Sequence, residues 1–399
     1  MKEGWTYKKL GEVCEVLNGF AFKSNQYVHD GIRVIRITNV QKGYVEDKDP
    51  KYYPLETQSE LKRYLLKEND LLISLTGNVG RVGILNDKLL PAYLNQRVGC
   101  LRIKKNELLI PFLFYFLNSN KFENDCIESS TGAAQKNMST VWLSKYMIPT
   151  PSLSEQQRIV SRLDSAFAHI DEMKANAEKQ LSEARALFQT ALTKAMEPKE
   201  GWEEKMLGKI AKVFSGYAFQ SGIFQKEGKY QVIRIGNIKQ NSLRLSDNAI
   251  FIDDIDSGLL QKSLLKEGDL VVTQTGTRHK RDYGFVAMVD KNNLLLNQRN
   301  ACIRFDNKLS AQFFLYYSYT ELYKDSFFAN EGGTVGQGNV GLSALKEMIY
   351  YAPPLSEQQR IVSRLDSLSA HVRELEEVLQ KTIAECDALK QALLRKVFE

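Results

Sequence analysis

Over the last 45 residues of the chain, apolar side chains recur at steps of three and four: Leu365, Leu368, Val372, Leu375, Leu379, Ile383, Cys386, Leu389 and Leu393. A second stripe with the same spacing runs through Leu163, Ala166, Ile170, Met173, Ala177, Leu181, Ala184, Leu187 and Ala191. A three-four stripe held over about four heptads predicts helices that pack against another helix, coiled-coil fashion. The earlier stripe carries alanine where the later one carries larger residues, so the two are expected to pack on each other, antiparallel, about a pseudo-twofold axis. The alternative is two independent amphipathic helices, each on its own domain. Each helix should begin after a proline-bearing stretch, IPTPSL or YAPPL, with Ser154 and Ser356 as N-caps and Gln157 and Gln359 at the capping-box position. At about 1.5 Å per residue, a helix of about 44 residues is a rod of roughly 66 Å, long enough to act as a spacer.

The two stripes belong to a duplication that covers nearly the whole chain. LSEQQRIVSRLDS stands at residues 153–165 and again, letter for letter, at 355–367. Gly4-Trp5 answers to Gly201-Trp202, VIRITNV (34–40) to VIRIGNI (232–238), LKENDLLISLTG (66–77) to LKEGDLVVTQTG (265–276), and LNQR recurs at 94–97 and 296–299. The offset grows from 197 to 202, and three of the five added residues fall between TG and LNQR. Each unit has a front part of domain size in which strand-like runs such as DLLISLTG alternate with helix-like ones such as LLIPFLFYFLNSNKF. That mixture predicts an α+β class.

The composition narrows the function little. The 399 residues carry a net charge of +6 and a pI near 8.8, compatible with a polyanionic partner but not diagnostic of one. The longest apolar run, Leu108 to Leu117, holds Pro111 and is too short to span a bilayer, and the N-terminus has no apolar block of signal-peptide length, so a cytoplasmic location is expected. Five cysteines without a CxxC spacing read as reduced thiols, with Cys100 and Cys302 in core strands. No catalytic centre is recognisable. Of the four histidines, His29, His169, His279 and His371, the repeat equivalents His169 and His371 lie in the helical tails with no acid or thiol at ligand spacing, no Walker A pattern occurs, and TGNVGRVG is not the dinucleotide fingerprint. No metal site is expected.

What differs between the copies carries more information. Residues 41–65 and 239–264, and the loop after each TG, diverge while the strands and tails match, as expected of two binding modules whose loops read different targets from one scaffold. The second loop concentrates Arg278, His279, Lys280 and Arg281 beside Tyr283, and the first places Asn78 and Arg81 there. Arginine forks onto guanine or phosphate, lysine supplies a point charge, and asparagine or glutamine pairs with adenine, so DNA is the candidate target. LNQR adds Asn95, Gln96, Arg97 and Asn297, Gln298, Arg299, which either contact DNA or hydrogen-bond neighbouring backbone. Lys23 and Gln220, after the GFAF and GYAF turns, and Lys136 and Gln337 are weaker candidates.

The duplicated G-[FY]-A-F turn, VIRI-x-N strand, LKE-[NG]-D-L segment with its TG loop, and P-x-L-S-E-Q-Q-R-I-V helix start resemble the specificity subunits of type I restriction-modification systems. The resemblance spans the chain. It implies two tandem-duplicated α/β target-recognition domains, residues 1–152 and 199–354, separated by two long antiparallel coiled-coil helices, 153–198 and 355–399. It also implies a non-catalytic subunit that reads the two halves of an interrupted double-stranded DNA sequence and docks two methyltransferase subunits and restriction subunits. S-adenosylmethionine would then sit on the methyltransferase subunits, and ATP and magnesium on the restriction subunits; the chain has no N/D/S-P-P-Y/F methyltransferase motif. Leu163, Ile170, Met173, Leu181, Leu187, Leu365, Val372, Leu375, Leu379, Leu389 and Leu393 are the residues expected to pack the helices or dock partners. The competing reading is a protein-interaction scaffold in which the duplicated modules bind protein and the coiled coil assembles it.

Overall fold

The computed structural model describes residues 4–104, 107–132 and 136–399. The chain forms two compact units, one joining the residues up to 179 to 379–399, the other comprising 180–378.

In the first unit a four-stranded antiparallel sheet takes the order Cys14–Asn18, Val98–Ile103, Leu71–Ser74, Val82–Ile84. In the second, Ala211–Ser215, Asn300–Phe305, Leu270–Thr273 and Val286–Met288 repeat that order. The central strands LLIS and LVVT are buried along their whole length because both faces are covered. Leu71 and Ile73 face one core with Phe112, Phe116 and Leu163, while Leu72 joins Ile35, Leu94 and Cys100 in another. The second unit alternates likewise, Leu270 and Val272 against Val271. Beside each sheet lies a three-stranded one, centred on Ile32–Ile35 or Tyr230–Ile233, and a helical layer, Ile110–Leu117 with Asn120–Glu128 or Lys308–Tyr317 with Glu321–Phe328.

The repeated K-E-[NG]-D-L explains itself here. Asp70 and Asp269 enter the core and take a two-pronged bond from Arg102 and Arg304, the closest approach 2.6 Å in each, while accepting the amide of Lys67 or Lys266. The preceding residue turns with positive φ, Asn69 at 65° and Gly268 at 87°, which is why asparagine and glycine interchange there.

The two long helices run Leu153–Met196 and Leu355–Phe398, 44 residues each. Their caps lie earlier than Ser154 and Ser356. Ser152 Oγ accepts the Glu155 amide at 3.3 Å, and the Pro354 carbonyl accepts the amides of Glu357 and Gln358. The first glutamine of the repeated phrase, rather than the second, is the structural one. Gln156 is fully buried and bridges the Pro151 and Glu107 carbonyls to the Leu109 amide; Gln358 bonds the Pro353 carbonyl and the Ser310 hydroxyl. Glu155–Arg158 and Glu357–Arg360 pair on the surface, and Asp164 and Asp366 accept the hydroxyls of Tyr115 and Tyr316.

In the first unit the two helices lie antiparallel, Lys174 on Asp387 at 2.8 Å and Asp171 on Lys390 at 2.5 Å. In the second, Arg185 meets Glu376 at 2.6 Å. Leu163, Ile170, Leu365 and Leu379 are buried and Leu181, Val372 and Leu393 half-buried, as the stripe predicts. Four expected packing residues are not in the seam: Met173, Leu187, Leu375 and Leu389 are 53%, 61%, 42% and 46% exposed. The seam takes the next residue in each case, Lys174, Phe188, Glu376 and Lys390. Those charged residues keep their carbon stems in the seam and their heads on a partner at its rim.

Candidate nucleic-acid interface

Two motifs brace the loops in each unit. At Gly19 a Cβ would lie 2.2 Å from the Asn95 carbonyl oxygen, and at Gly216 one would lie 2.0 Å from that of Asn297, so only glycine lets the G-[FY]-A-F turn rest on LNQR. LNQR in turn touches the TG strand, the Leu75 amide donating to the Arg97 carbonyl and the Gln274 amide to that of Arg299. Three segments far apart in sequence thus converge at one edge of each unit.

In the first unit, Asn78, Arg81 and Arg97 line one cavity of about 540 Å³. The loop is held by neutral groups. Ser74 Oγ accepts the Arg81 amide and donates to the Asn78 carbonyl, while Arg81 Nη1 reaches Gln41 Oε1 at 3.0 Å. The Gly77 amide donates to the Lys136 carbonyl, which brings the exposed Lys136 beside the loop. Lys23 does not join the cluster; it lines a separate cleft with Gln26, Tyr53 and Glu60. Asn95 caps its own turn, Oδ1 accepting the Arg97 amide at 3.2 Å, while Gln96 and Arg97 are exposed.

In the second unit, Thr275–Thr277, Gln337–Asn339 and Gly332–Gly333 form a small sheet with Thr277 opposite Gln337. The basic loop grows from it. Lys280 and Arg281 amides close onto the Thr277 carbonyl, and Arg281 turns at φ 46°. Asp282 accepts the amide and hydroxyl of Thr277, and those bonds hold its carboxyl below the usual carboxylate range. Arg278 pairs with Glu331 at 3.3 Å, so part of its charge is spent inside the molecule. Tyr283 is 2% exposed, donates to Glu331 and packs on Phe327 and Phe328. It supports the loop from within and presents no ring face outward, a correction to its expected place at the surface. His279, Lys280, Arg281, Gln298, Arg299 and Gln337 are exposed. Asn297 is half-buried, and Gln220 is exposed at the turn Ser221–Ile223.

The cavity also draws in Arg36 and Lys48, which motif reading passed over. Lys48 lies in the divergent segment 41–65, and that divergence was the available signal. Arg36 directly follows a matched strand and has an equivalent, Arg234; they bond the Asp49 and Asn248 carbonyls respectively. Lys51 and then Arg36 hold the Asp49 carboxyl down.

The residues of both edges can present forked donors, ammonium points and amides to a polyanion. A model of the type I restriction modification DNA specificity domain matches residues 2–183 and again 199–385. The chain belongs to that family. It is 23% identical over 426 residues to the EcoKI specificity subunit of Escherichia coli strain K12, covering all of this chain and 89% of that protein. Among solved structures, a chain from work on complex assembly and conformational transition of a type I restriction-modification system superposes with a TM-score of 0.77 at 19% identity, covering 100% of this chain and 98% of that one. The HsdS subunit of Thermoanaerobacter tengcongensis gives 0.56 at 19%, covering 100% and 97%. These two share the fold of this family member. Among the described residues no three metal-ligating side chains cluster, and no helix is long and apolar enough to cross a membrane. All five cysteines are separate, buried thiols, and burial pushes that of Cys14 up to about 12.

Proposed function

We propose that the chain is the DNA-recognition subunit of a type I restriction-modification complex, reading two different half-sites of an interrupted sequence. The observation that carries this is one scaffold used twice with different loop chemistry: Asn78, Arg81 and Arg97 at one edge, Lys280, Arg281, Arg299 and Gln337 at the other. Residues 1–152 and 199–354 are the recognition domains, and the helices 153–198 and 355–399 space them and dock methyltransferase and restriction subunits. The subunit itself is non-catalytic. S-adenosylmethionine acts on the methyltransferase subunits, and ATP and magnesium on the restriction subunits, in the cytoplasm.

The test is a map of methylated bases across host DNA with the gene present and deleted, in cells that keep the methyltransferase. Loss of an interrupted motif with one modified adenine in each half is expected. An unchanged map in cells shown to express the active methyltransferase overturns the assignment.

A further inference from the structure

The second unit holds a cavity of about 830 Å³; a first-unit cleft of about 810 Å³ shares the matched positions Asn120, Asp387 and Gln391, for Glu321, Arg185 and Gln189, and is otherwise lined differently. In the first unit, Lys390 pairs with Asp171 and lies 5.1 Å over the Phe167 ring, and Gln391 bonds the Asn118 carbonyl at 3.3 Å; neither Phe167 nor Lys390 lines that cleft. On the long helices, adding or subtracting 202 gives the matching positions in the second unit: Asp171 is matched by Arg373, Lys390 by Phe188 and Phe167 by Ser369, while Gln391 keeps its glutamine as Gln189. The ion pair cannot form there, and Phe188, Ser369 and Arg373 line the cavity instead. In the domain the offset is 201, so Asn118 is matched by Tyr319, whose hydroxyl is buried at the cavity wall with no hydrogen-bond partner.

The lining combines two chemistries. Two carboxylates there are already neutralised, Glu376 by Arg185 at 2.6 Å and Glu321 by Lys324 at 2.7 Å. Arg373 bonds only the Ser369 carbonyl, at 3.4 Å, and neither Lys280 nor Arg281 has a carboxylate partner among the described residues; Arg281 lies 4.8 Å over Phe328. Three cationic side chains therefore line the space, none in a salt bridge among the described residues, although Lys280 also acts on the Asp282 carboxyl. Phe188, Phe285, Tyr316 and Tyr319 supply aromatic wall. Cavities of roughly 300 to 1,000 Å³ with apolar walls and a few placed polar groups are ligand sites. Rings stack on nucleobases, and guanidinium groups take phosphate.

We infer that this cavity binds a nucleotide, its base among the aromatic side chains and its phosphate on Arg373 and Lys280. The nucleotide is either free or part of a nucleic-acid strand. The inference shares Lys280 with the recognition reading but rests on the cavity and on Arg373; it is tested by ligand binding, and the recognition reading separately by the methylation map.

Calorimetric titration of the full-length chain with adenosine monophosphate, adenosine, inorganic phosphate and a short single-stranded oligonucleotide tests it. A free-nucleotide site binds the monophosphate at least tenfold more tightly than adenosine or phosphate alone; a strand-borne one binds the oligonucleotide and not the monophosphate. In either case Arg373→Glu should weaken binding tenfold or more. The triple change Phe188→Lys, Ser369→Phe and Arg373→Asp, which writes the first unit's residues at these positions into the second, should abolish it with Tm retained. Binding by neither ligand, or affinities within twofold of the parent in Arg373→Glu, would overturn the site.

Discussion

The loop after Ser74 and the loop after Thr273 leave equivalent strands and are tied down at equivalent points, by the Leu75–Arg97 and Gln274–Arg299 backbone bonds. Beyond those points they part. The first is folded on a neutral hydroxyl, Ser74, and an amide, Gln41. The second is folded on two carboxylates, Asp282 against Thr277 and Glu331 against Arg278 and Tyr283. A loop that carries four basic or imidazole side chains in a row repels itself, and internal carboxylates offset that repulsion while leaving Lys280 and Arg281 outward. The comparison separates what the scaffold needs from what each loop offers: the ties are shared, and the exposed chemistry is not.

If the scaffold is the shared part, breaking it should cost the same in both units. Asp70→Ala and Asp269→Ala each strip the partner from a mostly buried arginine, Arg102 or Arg304, and each should destabilise its own unit by about 3 to 5 kcal/mol. Denaturant unfolding measures it, and a large effect in one unit beside a negligible one in the other would break the equivalence. Changes in the loops should instead act on one half-site each. Arg81→Ala should cost about 1 to 3 kcal/mol of discrimination at one half, and Lys280→Ala with Arg281→Ala should reduce the salt slope of duplex binding by about 2. Methylation of half-site variants and binding across salt concentrations check this; both variants altering the same half would sink the division of labour.

The smallest effect concerns acid. The folded-state pKa of Asp282 is depressed by its bonds to Thr277, so its contribution to stability is present above the unfolded carboxylate value of about 3.9 and is lost as pH falls through the folded value. Asp282→Asn should flatten the acid side of the second unit's stability profile, whereas Ser74→Ala in the first should shift stability equally at every pH. Hydrogen exchange at the two loops between pH 5 and pH 2.5 distinguishes them.

Much of this was legible before any fold was known. The duplication, the strand-like runs, the long helices and the divergent loops all follow from local pattern, because side-chain period and turn chemistry are properties of neighbouring residues. The helix starts slipped by two residues because a serine and a glutamine at capping distance read the same whether the cap is Ser154 or the preceding Ser152. Gln156 was overlooked because its acceptors, Pro151 and Glu107, include one distant carbonyl.

By itself, then, the sequence determined the repeat, the element types and the residues able to meet a polyanion. Tertiary structure alone decided which of them are free to do so. The three-four stripe places Met173 in the seam, yet it is Lys174 that turns inward, onto Asp387 across the seam. Tyr283 and Arg278 look as available as Lys280 until Glu331, some fifty residues on, claims both. The cavity beside Arg373 likewise takes its lining from position 188 on one long helix and positions 369 and 373 on the other. Burial and charge pairing are set by residues distant in the chain, and a local pattern carries no record of them.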